Sequence, residues 1–151
     1  MQKVAAVLIR DSEGKFLILN RRNEPRCWAP PGGIVNEGES VEDAARREVA
    51  EETGLQLGAL RKIKIDNSDP RWETHYFSAV VQSVETLKIA DDEHKGHKWT
   101  KIEAMADLEL MPAFGVWKQV SSENGVWNLI DERSVATAGP KCQMRCRPRR
   151  A

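Results

Sequence analysis

The chain has 151 residues, enough for one domain with a substantial core and too few for two full domains. Its 23 lysines and arginines balance 23 aspartates and glutamates, so the formal net charge is zero. The last 18 residues, 134–151, contain five basic residues and no acid, which leaves residues 1–133 with a net charge of −5. That balance argues against a body built to bind nucleic acid.

The cysteines and the N-terminal segment indicate which cellular compartment to expect. Cys27, Cys142 and Cys146 give neither a disulfide framework nor a zinc-ligand pattern, so a cytoplasmic location is expected. The apolar run at residues 4–9 is too short for a signal-peptide core or a membrane span. We therefore predict a folded domain over residues 1–133 and a basic, disordered tail over residues 134–151, with no nucleic-acid or membrane partner.

The first elements are two short β-rich runs, residues 3–10 and 15–22, separated by the turn residues Asp-Ser-Glu-Gly. This pattern predicts a β-hairpin. The segment CWAPPGG, residues 27–33, follows as an irregular loop, because it holds two consecutive prolines and two consecutive glycines.

A helix is predicted next, and the elements beyond it favour a mixed sheet packed by helices. The order of strands, helix, strands and helix indicates an α/β fold rather than a regular βαβ alternation. In chain order, the later predictions are strands over residues 60–66, 74–83 and 97–102, and short helices over residues 102–110 and 112–120.

The helix over residues 41–53 is marked at both ends and carries acids on its buried side. Ser40 can cap the N-terminus, and Gly54 stands where a helix commonly ends. At about 100° per residue, Glu48 and Glu52 fall inside the arc formed by the apolar residues, and Glu51 lies at its edge. A solvated acidic face does not explain this placement.

Buried carboxylates must be neutralised, paired or bound to a cation, because burial of an unpaired charge costs several kcal/mol. Arg47 can neutralise one of them, Glu51 at i+4, or reach back to Glu39 before the helix, but it cannot satisfy all three helix glutamates. A hard divalent cation such as Mg²⁺ or Mn²⁺ fits the remainder. The helix is thus a candidate platform for metal-assisted attack on a phosphate.

These residues resemble a known family motif. Gly33, Glu39 and the run REVAEETGL at residues 47–55 fill every fixed position of the Nudix box, G-x5-E-x7-R-E-U-x-E-E-x-G-U, where U is apolar. The resemblance implies an α/β/α sandwich with a mixed β-sheet. It also implies an enzyme that hydrolyses a diphosphate bond in a nucleoside diphosphate linked to another group.

The resemblance also implies roles for single residues. Glu48, Glu51 and Glu52 would bind Mg²⁺ or Mn²⁺, helped by the carbonyl of Gly32. The supporting residues would be Arg47 and Glu39, which orient the carboxylates, and Gly33 and Gly54, which the backbone requires. Glu93, six residues before Trp99, resembles a further acid of the family and competes with Glu48 for the role of general base; a solvated loop acid is the alternative.

Substrate contacts are expected from aromatic and polar groups outside the box, each of which could instead serve in packing: Trp28, Trp72, His75 and Tyr76. The pair His75-Tyr76 resembles relatives that convert a nucleoside triphosphate to the monophosphate and pyrophosphate, and this is the first expectation. Pro70, 15 residues after Leu55, resembles ADP-ribose and ADP-sugar pyrophosphatases, and the run EHKGHKW resembles dinucleoside polyphosphate hydrolases.

The sequence leaves open the oligomeric state and whether the chain cleaves its nucleotide. The resemblance implies a small nucleotide as the partner, and the chain could be a monomer or a homodimer. A Nudix module that binds a nucleotide without cleaving it is the alternative to an enzyme, although such a module would be expected to lose a glutamate of the box, and this chain keeps them all.

Overall fold

The computed structural model describes residues 2–21, 27–83, 87–89, 94–105 and 109–110. The predicted helix over 112–120, the tail over 134–151 and Glu93 lie outside these residues. In chain order the elements are β1 (Gln2–Arg10), β2 (Phe16–Arg21), β3 (Cys27–Ala29), β4 (Gly32–Ile34), α1 (Val41–Thr53), β5 (Arg61–Asp66), β6 (Trp72–Val80), β7 (His94–Thr100), α2 (Ile102–Met105) and β8 (Glu109–Leu110).

The strands form one mixed sheet around β1. Its path runs β5-β6-β1-β2-β3-β8, while β4 pairs with β1 and β7 pairs with β2. β1 lies parallel to β6 along its whole length and antiparallel to β4, and the β1–β2 hairpin closes at Arg10 and Phe16. The predicted hairpin and the predicted mixed sheet are therefore confirmed.

The core lies between α1 and the sheet. Alternate residues of β1 point to the helix, as the two-residue period of a strand requires, and all of β1 from Val4 to Ile9 is buried. The apolar residues that meet in this layer include Ala5, Val7 and Ile9 of β1, Ala44, Ala45 and Val49 of α1, and Phe77 and Ala79 of β6. Burial of such side chains is the main stabilising contribution to the fold.

The prediction that CWAPPGG is irregular is wrong, because β3 and β4 occupy both ends of it. Proline lacks an N–H donor but keeps its carbonyl acceptor, and Pro31 O accepts a hydrogen bond from Val7 N at 2.9 Å. Gly32 approaches β1 so closely that a Cβ there would lie 2.3 Å from Ala5 O. The two residue types predicted to prevent a strand thus sit where β1 needs an acceptor and a small neighbour.

The predicted helix over residues 102–110 is only partly correct. α2 ends at Met105, and residues 109–110 form β8, which pairs in parallel with β3 through Trp28 and Leu110. Tertiary pairing here overrides local helix propensity. Among the described helices, none is long and apolar enough to cross a membrane.

Candidate active site

α1 begins and ends where its caps require. The Ser40 hydroxyl accepts a hydrogen bond from Asp43 N at 3.0 Å, which satisfies one of the free donors of the first turn. Gly54 has φ 72°, in the left-handed region, and its N–H donates to Ala50 O at 2.9 Å. The predicted bounds of the helix, 41 and 53, are confirmed.

The helix buries two of its three box glutamates. Glu48 is 3% exposed and Glu52 is 1% exposed, although both are carboxylates. The Glu51 side chain, at the edge of the buried stripe, is 38% exposed. The helical-wheel placement is therefore confirmed for these side chains.

Arg47 contacts three carboxylates at once, whereas the sequence indicated that it could neutralise only one. Its Nε and Nη2 donate to the two oxygens of Glu39 at 2.8 and 2.9 Å. Its Nη1 donates to Glu48 Oε1 at 2.8 Å and to Glu51 Oε2 at 3.4 Å. The planar guanidinium makes this possible, since its donors point in fixed and different directions. Nη2 also donates to Ile34 O at 3.1 Å, which ties the helix to β4.

The ionisation of this cluster follows from its hydrogen bonds. The bond from Arg47 holds the pKa of Glu39 below its ordinary value of 4.5, against the opposing effect of burial. The same bond is the main reason that the pKa of Arg47 is raised above its ordinary value. Glu39 is therefore a carboxylate and Arg47 a guanidinium cation at neutral pH.

Glu52 is held from the sheet. Gly32 N donates to Glu52 Oε1 at 3.1 Å, a bond between residues 20 positions apart. The contact described at Gly32 is thus made by its N–H, whereas the expected metal contact involves its carbonyl. The loop before the box and the end of α1 are joined by this bond.

Gly33 leaves room for Glu48. A Cβ on Gly33 would lie 2.5 Å from the carboxyl carbon of Glu48 and 2.6 and 2.7 Å from its oxygens. Real Cβ atoms do not approach other atoms so closely, so the need at this position is for space rather than for an unusual φ. The side chain of Glu48 lies directly against the backbone of β4.

The atoms of this cluster that could bind a metal are carboxylate oxygens, which suit Mg²⁺ or Mn²⁺. Within the part of the chain that the structure describes, no three His, Cys, Asp or Glu side chains converge in an arrangement that would hold a metal ion. Arg47 takes one oxygen each of Glu48 and Glu51, and Gly32 N takes one of Glu52. The burial of two carboxylates at one end of the helix fits a cation chemically, and Glu93 lies outside the described residues.

The four expected substrate contacts do not form one cluster. His75 pairs with Ala5 and so lies on the α1 face of β6, where its Nε2 is 2.9 Å from Glu73 Oε2. Trp72 and Tyr76 alternate with His75 and point to the other face. Tyr76 is 2% exposed, so in this arrangement it is a core residue and presents no ring face to a soluble ligand. Trp72 is half-buried, and its Nε1 has no hydrogen-bond partner among the described residues.

Trp28 has a neighbour that the sequence analysis did not single out. Lys98 Nζ lies 5.0 Å from the centroid of the Trp28 ring. The two residues are 70 positions apart, and only the pairing of β3 and β7 with the same strand, β2, brings them together. Glu73 was also missed, because the predicted strand began at residue 74 whereas β6 begins at Trp72, which gives Glu73 the i, i+2 spacing to His75 along one strand.

The family model described as the NUDIX domain matches residues 1–119, which is most of the chain. The chain belongs to the Nudix family. An ADP-ribose pyrophosphatase of Methanocaldococcus jannaschii is 48% identical over 114 residues, which cover 72% of this chain and 64% of that protein. A putative 8-oxo-dGTP diphosphatase of Bacillus subtilis is 35% identical over 97 residues, 63% of each chain. The Nudix chain thus spans less than two thirds of the length of these relatives.

A solved Nudix relative supports the architecture. The crystal structure of the MutT protein from Methanosarcina mazei Go1 matches with a TM-score of 0.64 and 28% identity, over 82% of this chain and 94% of that one. The predicted α/β fold, a mixed sheet packed by helices as in MutT and Nudix proteins, is therefore confirmed.

Proposed function

We propose that this Nudix chain hydrolyses a diphosphate bond in a nucleoside diphosphate linked to another group, with Mg²⁺ or Mn²⁺ as its cofactor. One observation carries the proposal: Glu48 and Glu52 are buried on the same side of α1 and are held in place by Arg47 and by Gly32 N. Buried carboxylates at such a site are costly unless they serve a cation.

Each residue of the cluster has a chemical task in this proposal. Glu48, Glu51 and Glu52 would hold the metal, and Arg47, fixed by Glu39, would orient two of them. When bound, Mg²⁺ or Mn²⁺ would offset the charge of the diphosphate and lower the pKa of a water. Glu48 or Glu93 would accept the proton of that water as its oxygen bonds to phosphorus and the bridging P–O bond breaks.

ADP-ribose or another ADP-sugar is the first substrate class to test. The relative that is 48% identical carries the name ADP-ribose pyrophosphatase. Pro70, in the turn between β5 and β6, is also at the spacing that resembles those enzymes. Nucleoside triphosphates follow, because another relative is named a putative 8-oxo-dGTP diphosphatase. Dinucleoside polyphosphates, and binding without cleavage, are the remaining alternatives.

A substrate panel tests the proposal. ADP-ribose, ADP-glucose, ordinary and oxidised nucleoside triphosphates and a diadenosine polyphosphate are incubated with the full chain, with Mg²⁺, with Mn²⁺ and with EDTA. We expect hydrolysis with a divalent ion, none with EDTA, and a loss of at least about 100-fold in Glu48→Gln. Glu42→Gln is the matched control, since Glu42 lies on the exposed side of the same helix and pairs with Arg46.

Two results would overturn the proposal: turnover that is unaffected by EDTA, or a Glu48→Gln variant as active as the wild type. The tail is tested separately. Removal of residues 134–151 should leave turnover of the small substrates unchanged, and a large loss would show that this segment belongs to the functional domain.

A further inference from the structure

A lysine and a tryptophan meet on the sheet face opposite α1. Trp28 pairs with Asn20 of β2, and Lys98 pairs with Ile18 of the same strand. Paired and alternate residues share a face, so these four side chains point to the same side. Trp28 is half-buried and Lys98 is exposed. The lysine side chain therefore crosses β2 to reach an indole ring that is partly open to solvent.

The surface between the two residues is not filled from β7. Gly96 is the residue of β7 that pairs with Asn20. A Cβ on Gly96 would have only Asn20 Oδ1 within 4 Å, at 3.6 Å. A side chain could be accommodated there, but the chain carries none. Within the described residues, β7 therefore places no side chain at Gly96, next to Asn20 on the sheet face that carries Trp28.

Trp28 is close along the chain to Gly32, which contacts the carboxylate cluster. Gly32 is four positions after Trp28, and two of the three intervening residues are prolines, which fix their own φ angles. Gly32 N is bonded to Glu52. A four-residue extended segment spans at most about 14 Å. The backbone of Trp28 therefore lies within that distance of Gly32, whose N–H contacts Glu52.

We propose that Lys98 is a substrate-binding residue that holds the Trp28 ring ordered as a stacking surface and then yields the ring to the nucleobase. This proposal rests on the proposed function, since it assumes a nucleotide substrate. Stacking of a base on an aromatic ring is stronger than a cation–π contact at an exposed position, so the exchange is favourable. The displaced ammonium group, still tethered beside the ring, pairs with a phosphate of the bound nucleotide.

The proposal predicts that loss of the Lys98 charge affects the binding of adenosine and of ADP differently, although both carry the same base. Adenosine can stack on the Trp28 ring but has no phosphate to pair with Lys98. ADP can make both contacts. Binding of each to the full chain is measured by calorimetry in EDTA, so that no turnover occurs. In Lys98→Met, which keeps the aliphatic stem, we expect the Kd of ADP to rise by about threefold to tenfold. The Kd of adenosine should stay constant or fall.

Controls isolate the charge and the ring. Lys101→Met removes an exposed lysine just beyond β7 and should change neither Kd. Lys98→Arg keeps the cation and should retain ADP affinity, and Trp28→Leu should weaken both ligands. Circular dichroism melts establish that each variant is folded.

Equal changes for ADP and adenosine in Lys98→Met, or no change for either, would overturn the role of Lys98. Unchanged adenosine binding in Trp28→Leu would overturn the stacking surface. If Lys98→Met does not fold, Lys98→Arg decides, since a loss of ADP affinity in that variant contradicts a phosphate contact that tolerates any cation. Because turnover is not measured, a failure of the proposed hydrolysis in the substrate panel would be recognised independently.

Discussion

Glu48 fills the space beside Gly33 that a side chain would need, since a Cβ on Gly33 would lie 2.5 Å from the carboxyl carbon of Glu48. The atoms in conflict are all at the flexible end of the Glu48 side chain, which can move aside. In Gly33→Ala we therefore expect a modest loss of stability, about 1 kcal/mol. Displacement of the carboxylate by about 1 Å should lower kcat by as much as about 100-fold.

Urea denaturation and steady-state kinetics on the same preparation test this expectation. Gly58→Ala is the matched control, because a Cβ at Gly58 meets nothing within 4 Å and its φ is not positive. A Gly33→Ala variant with wild-type kcat would show that Glu48 does not need its observed position.

Arg47 should be irreplaceable by lysine. A lysine ammonium cannot donate in parallel to both oxygens of Glu39 and also reach Glu48, because it lacks the planar fork. The buried Glu48 would then lose the hydrogen bond that it accepts from Arg47 Nη1. We expect Arg47→Lys to lose about 1–3 kcal/mol of unfolding free energy, measured by urea denaturation without divalent ions.

Arg71→Lys provides the comparison for Arg47→Lys. Arg71 also pairs with a carboxylate, Asp69, at 2.7 Å, but this pair is exposed and should contribute nothing measurable. Equal stability changes in the two variants would mean that the burial of the Arg47 cluster has no energetic consequence.

The Glu39–Arg47 pair should make stability dependent on pH in the acid range. Its hydrogen bond lowers the folded-state pKa of Glu39 below 4.5, so folding favours the ionised form. The resulting stabilisation is fully present above the unfolded-state pKa and is lost as the pH falls through the lowered folded-state pKa. The stability difference between wild type and Glu39→Gln should therefore be constant near neutral pH and shrink in acid.

Urea denaturation at a series of pH values from about 7 down to about 3 measures this difference. Glu37→Gln, an exposed neighbour in the same turn, serves as the control and should show no such trend. A Glu39→Gln difference that stays constant over the whole range would contradict the assignment.

Gly54 should be sensitive for a different reason than Gly33. Its φ of 72° places any Cβ in the left-handed region, which costs about 1–2 kcal/mol for an ordinary residue. We expect Gly54→Ala to lower the melting temperature, and Gly54→Asn to lower it less, because asparagine tolerates this conformation better. A melting temperature of Gly54→Ala equal to that of the wild type would show that α1 ends in another way.

The sequence predicted best what local interactions determine. The bounds of α1 followed from Ser40 and Gly54, and the burial of Glu48 and Glu52 followed from the 3.6-residue period. Both depend on residues close along the chain, so one helix contains the information. The chemistry of the motif was equally readable, because the box lies within 23 residues.

The structural features that could not be predicted from the sequence depend on pairing between distant segments. The strands at both ends of CWAPPGG exist because β1 and β2 supply partners for them. The three contacts of Arg47 require the turn that carries Glu39 to fold back along the helix. The meeting of Lys98 and Trp28 requires two strands to flank a third, a relationship without a local sequence pattern.

The bond between Gly32 N and Glu52 closes the segment that separates them into a pinned loop. Most of the box, from Gly33 in β4 to Glu51 in α1, lies inside that loop, and Gly54 and Leu55 follow it. The residues that we expect or propose to contact the substrate, on β3, β6 and β7, lie outside it. A change in those strands could therefore alter substrate contacts while the bond between Gly32 N and Glu52 still joins the end of α1 to β4.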